Sequence, residues 1–371
     1  MKITGVYAYM HFSVWRNIIF IEVTTDEGIT GIGEATVRNK ETAVKAAIEN
    51  HIAPIVVGKS PFDIEYFFET SFIRDAWRNG VVFNSAISGV EMAMWDIIGQ
   101  KTGQPVYNLL GGKLRTAIPL YANTWFMNAE TYEDFACSAV KTVNLGFKAI
   151  KWDPLKAVPE NATEREKVAG GIECVKAVRE AVGQDIELFI ELHGSLSYDG
   201  ALDFVRNVSL FKPGFIEEPM HPDNFTGYRK LAIKSDIPIA AGERYFTRFQ
   251  HRILNEEGFY SIVQPDVTHS GGILELKKMA SAAEAYGLKF APHNSGSPVG
   301  TMASVMVDVN SENFFYQEFS VENFELNKSF FKKGFEYKDG KIMLNDSNPG
   351  LGLIPDWDII RRENYWHIQT F

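Results

Sequence analysis

The chain has 371 residues, too many for one ordinary compact domain unless that domain is a large barrel. An apolar fraction of 45% and a charged fraction of 23% are those of a globular protein, and a net charge of −10 argues against a nucleic-acid partner. Two cysteines without metal-type spacing, Cys137 and Cys174, read as buried free thiols, and no stretch approaches the ~20 apolar residues of a membrane span.

The N-terminal stretch MKITGVYAYMHFSVWRNIIFIEV carries His11 and Arg16 and lacks the apolar core of a signal peptide. It reads as two strands, with a hairpin turn at Asp26-Glu27-Gly28. The expected compartment is the reducing cytoplasm. Helical periodicity follows in ETAVKAAIENHIAPIV, IEYFFETSF and AISGVEMAMWDIIGQKTG, the last ending at Gly103. Gly111-Gly112 follows no strand and lacks a phosphate-loop pattern, so it reads as a join between domains.

From about residue 116 short apolar runs alternate with amphipathic helices. The expected strands are AIPLYAN, FKAIKWD, ELFIELHG, GFIEEP, PIAAGER, SIVQPD, KFAPHN and FFYQEFS. Eight such units predict a closed parallel barrel of the TIM type rather than an open sheet, since no G-x-G-x-x-G follows the first strand. The chain divides into an α+β domain over 1–115, a barrel over 116–325 and a C-terminal hairpin segment over 326–371. That last segment is expected to pack back on the first.

In such a barrel the strand ends at one face carry the site, and every second strand residue points the same way. Glu191 and His193 are two apart at the end of an apolar run. Glu217 and Glu243 stand at the ends of the next two runs, each 26 residues after the last, about the length of one β/α unit. Any one of these acids alone could be an ordinary solvated loop start. Three in register would repel one another in a low-dielectric mouth, and a divalent cation resolves the repulsion. An all-oxygen set suits a hard ion, most simply Mg²⁺. Glu218 is adjacent to Glu217, would face the other way, and is left out of this set.

Asp266 and His293 end the following two strands, where a carboxylate can fix the tautomer of an imidazole and raise the basicity of its other nitrogen. His193 then lies across the metal from His293, one suited as acid and the other as base. Glu318 ends the eighth strand, as a substrate contact or an exposed acid. Lys151 ends the second, as a contact to substrate or metal ligand or as a solvent-reaching lysine. Trp15, Arg16, Arg74, Trp77 and Arg78 occupy two loops of the N-terminal domain, as substrate contacts or as residues that cap helices or line the domain interface.

The motifs IELHG (190–194), FIEEP (215–219), AAGER (240–244), QPDVTHSGG (264–272), APHN (291–294) and QE (317–318) resemble the enolase superfamily. Within it they resemble the mandelate racemase-like sugar-acid dehydratases of the galactonate and gluconate type. Looser likeness runs through MAMWDIIGQKTGQPVYNLLGGKLR and PLYANTW. The resemblance implies a (β/α)7β barrel with an α+β capping domain, and a homo-oligomer. It implies Mg²⁺ on Glu191, Glu217 and Glu243, proton removal by His293 tuned by Asp266, protonation of the departing hydroxyl by His193, and an enediolate steadied by Glu318. Two departures stand out. Glu191 occupies a position where many members carry aspartate, and Lys151-Trp152-Asp153 stands where racemases carry K-x-K. Asp153 in the second lysine's place speaks against a two-base racemase and leaves it, with Lys151, as a candidate substrate contact. The expected activity is dehydration of an aldonate to a 2-keto-3-deoxy acid. The competing expectations are an epimerase of α-hydroxy acids and a non-catalytic sugar-acid binder.

Overall fold

The structure, a computed structural model, describes residues 1–13 and 15–364. Strands β1 (Ile3–Phe12), β2 (Asn17–Thr25) and β3 (Thr30–Glu34) form an antiparallel sheet in sequence order. The β2–β3 hairpin turns at the expected Asp26–Gly28. The long helix Val81–Thr102 lies against β3. That approach is possible because the strand offers glycines: a Cβ on Gly31 would sit 2.1 Å from Ala93 O, and one on Gly33 1.8 Å from Gly89 O. This helix is the one described helix long and apolar enough to cross a membrane, contrary to the expectation from the sequence. Its apolar window is 78% buried inside the fold, so it is a core helix that is apolar nearly all round.

Eight parallel strands follow: β4 (Ala117–Asn123), β5 (Ala149–Trp152), β6 (Glu187–Glu191), β7 (Phe215–Glu217), β8 (Ile239–Ala241), β9 (Ile262–Val263), β10 (Lys289–Phe290) and β11 (Gln317–Ser320). Each coincides with an expected run. β4 pairs with both β5 and β11, and a bridge from Phe290 to Phe314 closes the ring. With the seven helices between consecutive strands this is a (β/α)7β barrel. Its floor is a layer of Tyr121, Phe189 and Phe215 accommodated by Ala149, Ala240 and Ala291; Phe189 and Phe215 stack at 4.1 Å. The same alternation that puts Phe189 in the floor puts Glu191 in the mouth above it.

The hairpin Glu336–Lys338/Lys341–Met343 adds antiparallel to the base of β4. Beyond it the chain returns to the N-terminal domain, where Leu351 N–H donates to Asp96 and Arg361 pairs with Glu22. The end of the expected C-terminal segment, 365–371, lies outside the described residues. Cys174 is buried as expected, but Cys137 is exposed on an amphipathic helix whose apolar face is carried by Phe135 and Ala139.

Candidate active site

The barrel mouth opens under the N-terminal domain into a cavity of about 480 Å³. Trp15, Arg16, Lys151, Asp153, Glu191, His193, Glu243 and His293 all line it. Trp77 does not: the residue is 92% exposed, on a loop where Asp75 accepts its backbone N–H. Arg74 and Arg78 are likewise exposed, Arg78 lying over Phe72 and Phe249. Arg16 is buried, bound to Glu322 at 2.7 Å and to Gly296 O at 3.1 Å, with Trp15 packed over its guanidinium.

Lys151 stands at the centre of the mouth and is 1% exposed, so it does not reach solvent. Its Nζ lies 2.7 Å from Glu217 Oε2, 2.9 Å from Glu318 Oε1 and 3.8 Å from Glu191 Oε2. Burial pulls a lysine pKa down, but Glu217 and Glu318 outweigh it and hold this ammonium well above its ordinary range. Glu318 is buried, which raises a carboxyl, yet Lys151 and His293 bring it below the usual range. Asn294 N–H and Asn123 Nδ2 fix its oxygens at 2.9 and 2.5 Å.

The two histidines are held alike. His293 Nδ1 is 2.7 Å from Asp266 Oδ2, and His193 Nδ1 is 2.8 Å from Asp153 Oδ2. Asp266 is fixed by the N–H and hydroxyl of Thr268, and its pKa falls to about 2 because His269, His293 and these bonds overcome its burial. Asp153 is fixed by Leu155 N–H. Asp153, a candidate substrate contact, lines the cavity and has its other oxygen on His193, whose backbone takes a left-handed φ of 47°. His293 Nε2 meets Glu243 Oε2 at 2.7 Å. The ring is buried, which alone would lower its pKa, but Glu243, Glu318 and Asp266 raise it well above the ordinary value.

Glu191 and Glu217 are paired across β6 and β7, and Glu243 follows β8. Among the described residues no three His, Cys, Asp or Glu side chains are gathered about one point: Glu217 is taken up by Lys151 and Glu243 by His293. The donor chemistry fits a hard cation nonetheless. Glu217 Oε1 is buried without a partner, and burial together with the Glu217 charge pushes the Glu191 carboxyl well above its usual range. Such a cluster is short of positive charge.

Residues outside the expected set complete the site. Gln264 donates to Glu217 Oε2 at 2.6 Å and stands two residues before Asp266, so strand alternation could have found it. Glu218 is buried, and its Oε2 lies 2.8 Å from Arg244 without hydrogen-bond alignment; its positive φ of 38° re-aims it off the strand pattern. Arg244 also donates to His193 O at 3.0 Å. His269 lines the cavity and shares a 2.8 Å bond with Ser85.

Residues 134–359 match the enolase C-terminal domain-like family, and residues 10–111 match the mandelate racemase/muconate lactonizing enzyme N-terminal domain. The chain is 36% identical to a D-galactonate dehydratase of Xanthomonas oryzae pv. oryzae (strain PXO99A), with 98% of this chain and 94% of the relative covered. To a D-galactonate dehydratase of Variovorax paradoxus (strain S110) it is 32% identical, with coverage of 95% and 89%. A mandelate racemase/muconate lactonizing enzyme-like protein from Roseovarius sp. TM1035 superposes with a TM-score of 0.88 at 30% identity, over 99% of this chain and 96% of that one. A member of the enolase superfamily from Salmonella Typhimurium does so at 0.91 and 28% identity, over 97% and 98%. The chain belongs to the mandelate racemase/muconate lactonizing enzyme family of the enolase superfamily.

Proposed function

We propose that the chain is a Mg²⁺-dependent dehydratase of a sugar acid of the aldonate kind. The observation that carries this reading is the pair of imidazoles, each tied at Nδ1 to a buried aspartate, which line one cavity with Glu191 and Glu243 while Glu217 is buried on the strand between them. The relatives named D-galactonate dehydratase support the substrate class. Members of this superfamily typically depend on a metal. Glu191, Glu217 and Glu243 would hold the ion, which supplies positive charge to the negative charge that builds on the substrate carboxylate.

The chain's own residues account for the proton movements. His293 Nε2 takes the proton from the carbon next to the carboxylate, a task that requires its bond to Glu243 to open and Nε2 to shed the proton that this carboxylate holds there. His193 Nε2 gives a proton to the 3-hydroxyl as its C–O bond breaks. One water leaves, and the enol that remains tautomerises to a 2-keto-3-deoxy acid. Lys151 keeps the carboxylates beneath the substrate from repelling it, and Glu318, buried below the cavity, holds Lys151 and the Asn294 N–H in place. Trp15 and Arg16 bound the far side of the cavity.

Purified protein offered galactonate and gluconate is expected to form keto acid only with Mg²⁺ present. EDTA should silence it and added Mg²⁺ restore it. Deuterium entering at the α-carbon from D₂O with no keto acid would overturn dehydration in favour of epimerisation. Asp153→Asn is expected to lower kcat by roughly 10–100-fold with little change in KM, because the amide no longer fixes the His193 tautomer. Steady-state keto-acid formation measures both.

A further inference from the structure

Glu34 ends β3 in the N-terminal domain, yet its carboxylate is buried at the start of a barrel helix. Both oxygens accept from Ser297 N–H at 3.0 Å. Oε2 also accepts from the Ser297 hydroxyl at 2.6 Å and from Gly300 N–H at 2.8 Å, and Thr36 Oγ1 donates to Oε1 at 2.6 Å. The helix Pro298–Asp308 therefore receives the acid at its N-terminus from the other domain, where free N–H groups and the helix dipole favour a negative charge. The approach leaves no room for side chains: a Cβ on Gly296 or on Gly300 would fall 3.0 Å from this carboxylate.

The turn anchored in this way begins at His293. Asn294 N–H donates to Glu318 Oε2 at 2.9 Å, and Gly296 N–H donates to Asn294 Oδ1 at 2.9 Å. Arg16 donates to Gly296 O from the opposite side at 3.1 Å. The N-terminal domain thus grips both the N–H and the C=O side of the short connection between His293 and its helix. We infer that Glu34 is a positioning residue for the reaction: it fixes the turn that sets His293 and Asn294 over Glu318, so the capping domain's docking and the assembly of the proton-abstracting strand end are one event. The inference rests on the reading of His293 as the base.

Asp96 offers the comparison a merely structural role requires. It is an equally buried carboxylate that accepts from Ile32 and Leu351 N–H, and it touches no strand end of the mouth. Glu34→Gln keeps the size but turns an amide toward a row of N–H donors. Turnover is expected to fall by about 10-fold or more at nearly constant KM, since a small misplacement of the base slows the proton transfer and leaves binding alone. Faster backbone amide exchange should accompany it in peptides spanning 293–301. Asp96→Asn is expected to lower the melting temperature with neither change. Should Glu34→Gln be too unstable to purify, Ser297→Ala removes one donor to the same carboxylate and is expected to give the same signature, weaker. Wild-type turnover per folded molecule in Glu34→Gln, or unchanged exchange over 293–301, overturns the inference. Wild-type protein that turns over no acid sugar sinks the dehydratase reading instead, and the exchange measurement still decides whether Glu34 sets the turn.

Discussion

His293→Asn is expected to lower kcat by ~10²–10⁴-fold, the range general-base assistance supplies, while the protein stays folded. Folding should survive because Asp266, the partner of the lost ring, keeps the N–H and hydroxyl of Thr268 and the neighbouring His269 ring. Asparagine fills much of the same space and can still donate to Asp266, but it cannot take a proton. The diagnosis lies in comparison with His193→Asn. Removing the base should abolish both keto-acid formation and uptake of deuterium at the α-carbon from D₂O. Removing the acid should abolish keto acid but leave deuterium uptake, because the proton is taken before the hydroxyl departs. NMR of the recovered sugar acid separates the two. His293→Asn that still exchanges its α-hydrogen would move the base to another residue.

Much of this site was legible because strand alternation and unit length are local properties. Glu191, Glu217 and Glu243 recur at one spacing, and each follows an apolar run that β6, β7 and β8 reproduce. Asp266 and His293 were legible for the same reason, and the bridge between them is the parallel pairing of adjacent strand ends. What the sequence did not disclose depends on loops and on pairing across long separations. Lys151 obeys the alternation that places Ala149 in the floor, but its partners Glu217 and Glu318 come from strands far along the chain. Asp153 lies just past its strand and meets His193 at a residue of left-handed backbone, which alternation does not foresee. Trp77 and its arginines have the composition of a sugar-binding loop, yet composition does not state which way a loop faces. The periodicity of the long core helix shows in the sequence only from Ala86, although the helix begins at Val81, because Gly80 gives it no side-chain cap to recognise.

Lys151→Met is expected to destabilise the fold by ~3–5 kcal/mol, because it strips the counter-charge from buried carboxylates and leaves them in place. Methionine matches the length of the lysine stem, so packing above Tyr121 changes little and the effect isolates the charge. Glu217 keeps its bond from Gln264, and Glu318 keeps those from Asn123 and Asn294, but neutral donors do not replace an ammonium at 2.7 and 2.9 Å. The pH dependence has a definite sign. In the wild type the Glu318 carboxyl lies below its ordinary range, so its contribution is present at neutral pH and is lost as the pH falls through the folded-state value. The variant lacks that contribution, so the gap between the two proteins should be widest near neutrality and narrow in acid. Urea unfolding at pH 7.5 and in steps below about pH 4, all in EDTA, measures it. Added Mg²⁺ should recover part of the loss at neutral pH, since a cation that binds only the folded cluster stabilises it by mass action. An unfolding midpoint unmoved by the substitution at neutral pH would mean that these carboxylates do not need the lysine. The counter-charge for Glu217 and Glu318 would then have to come from elsewhere in the barrel.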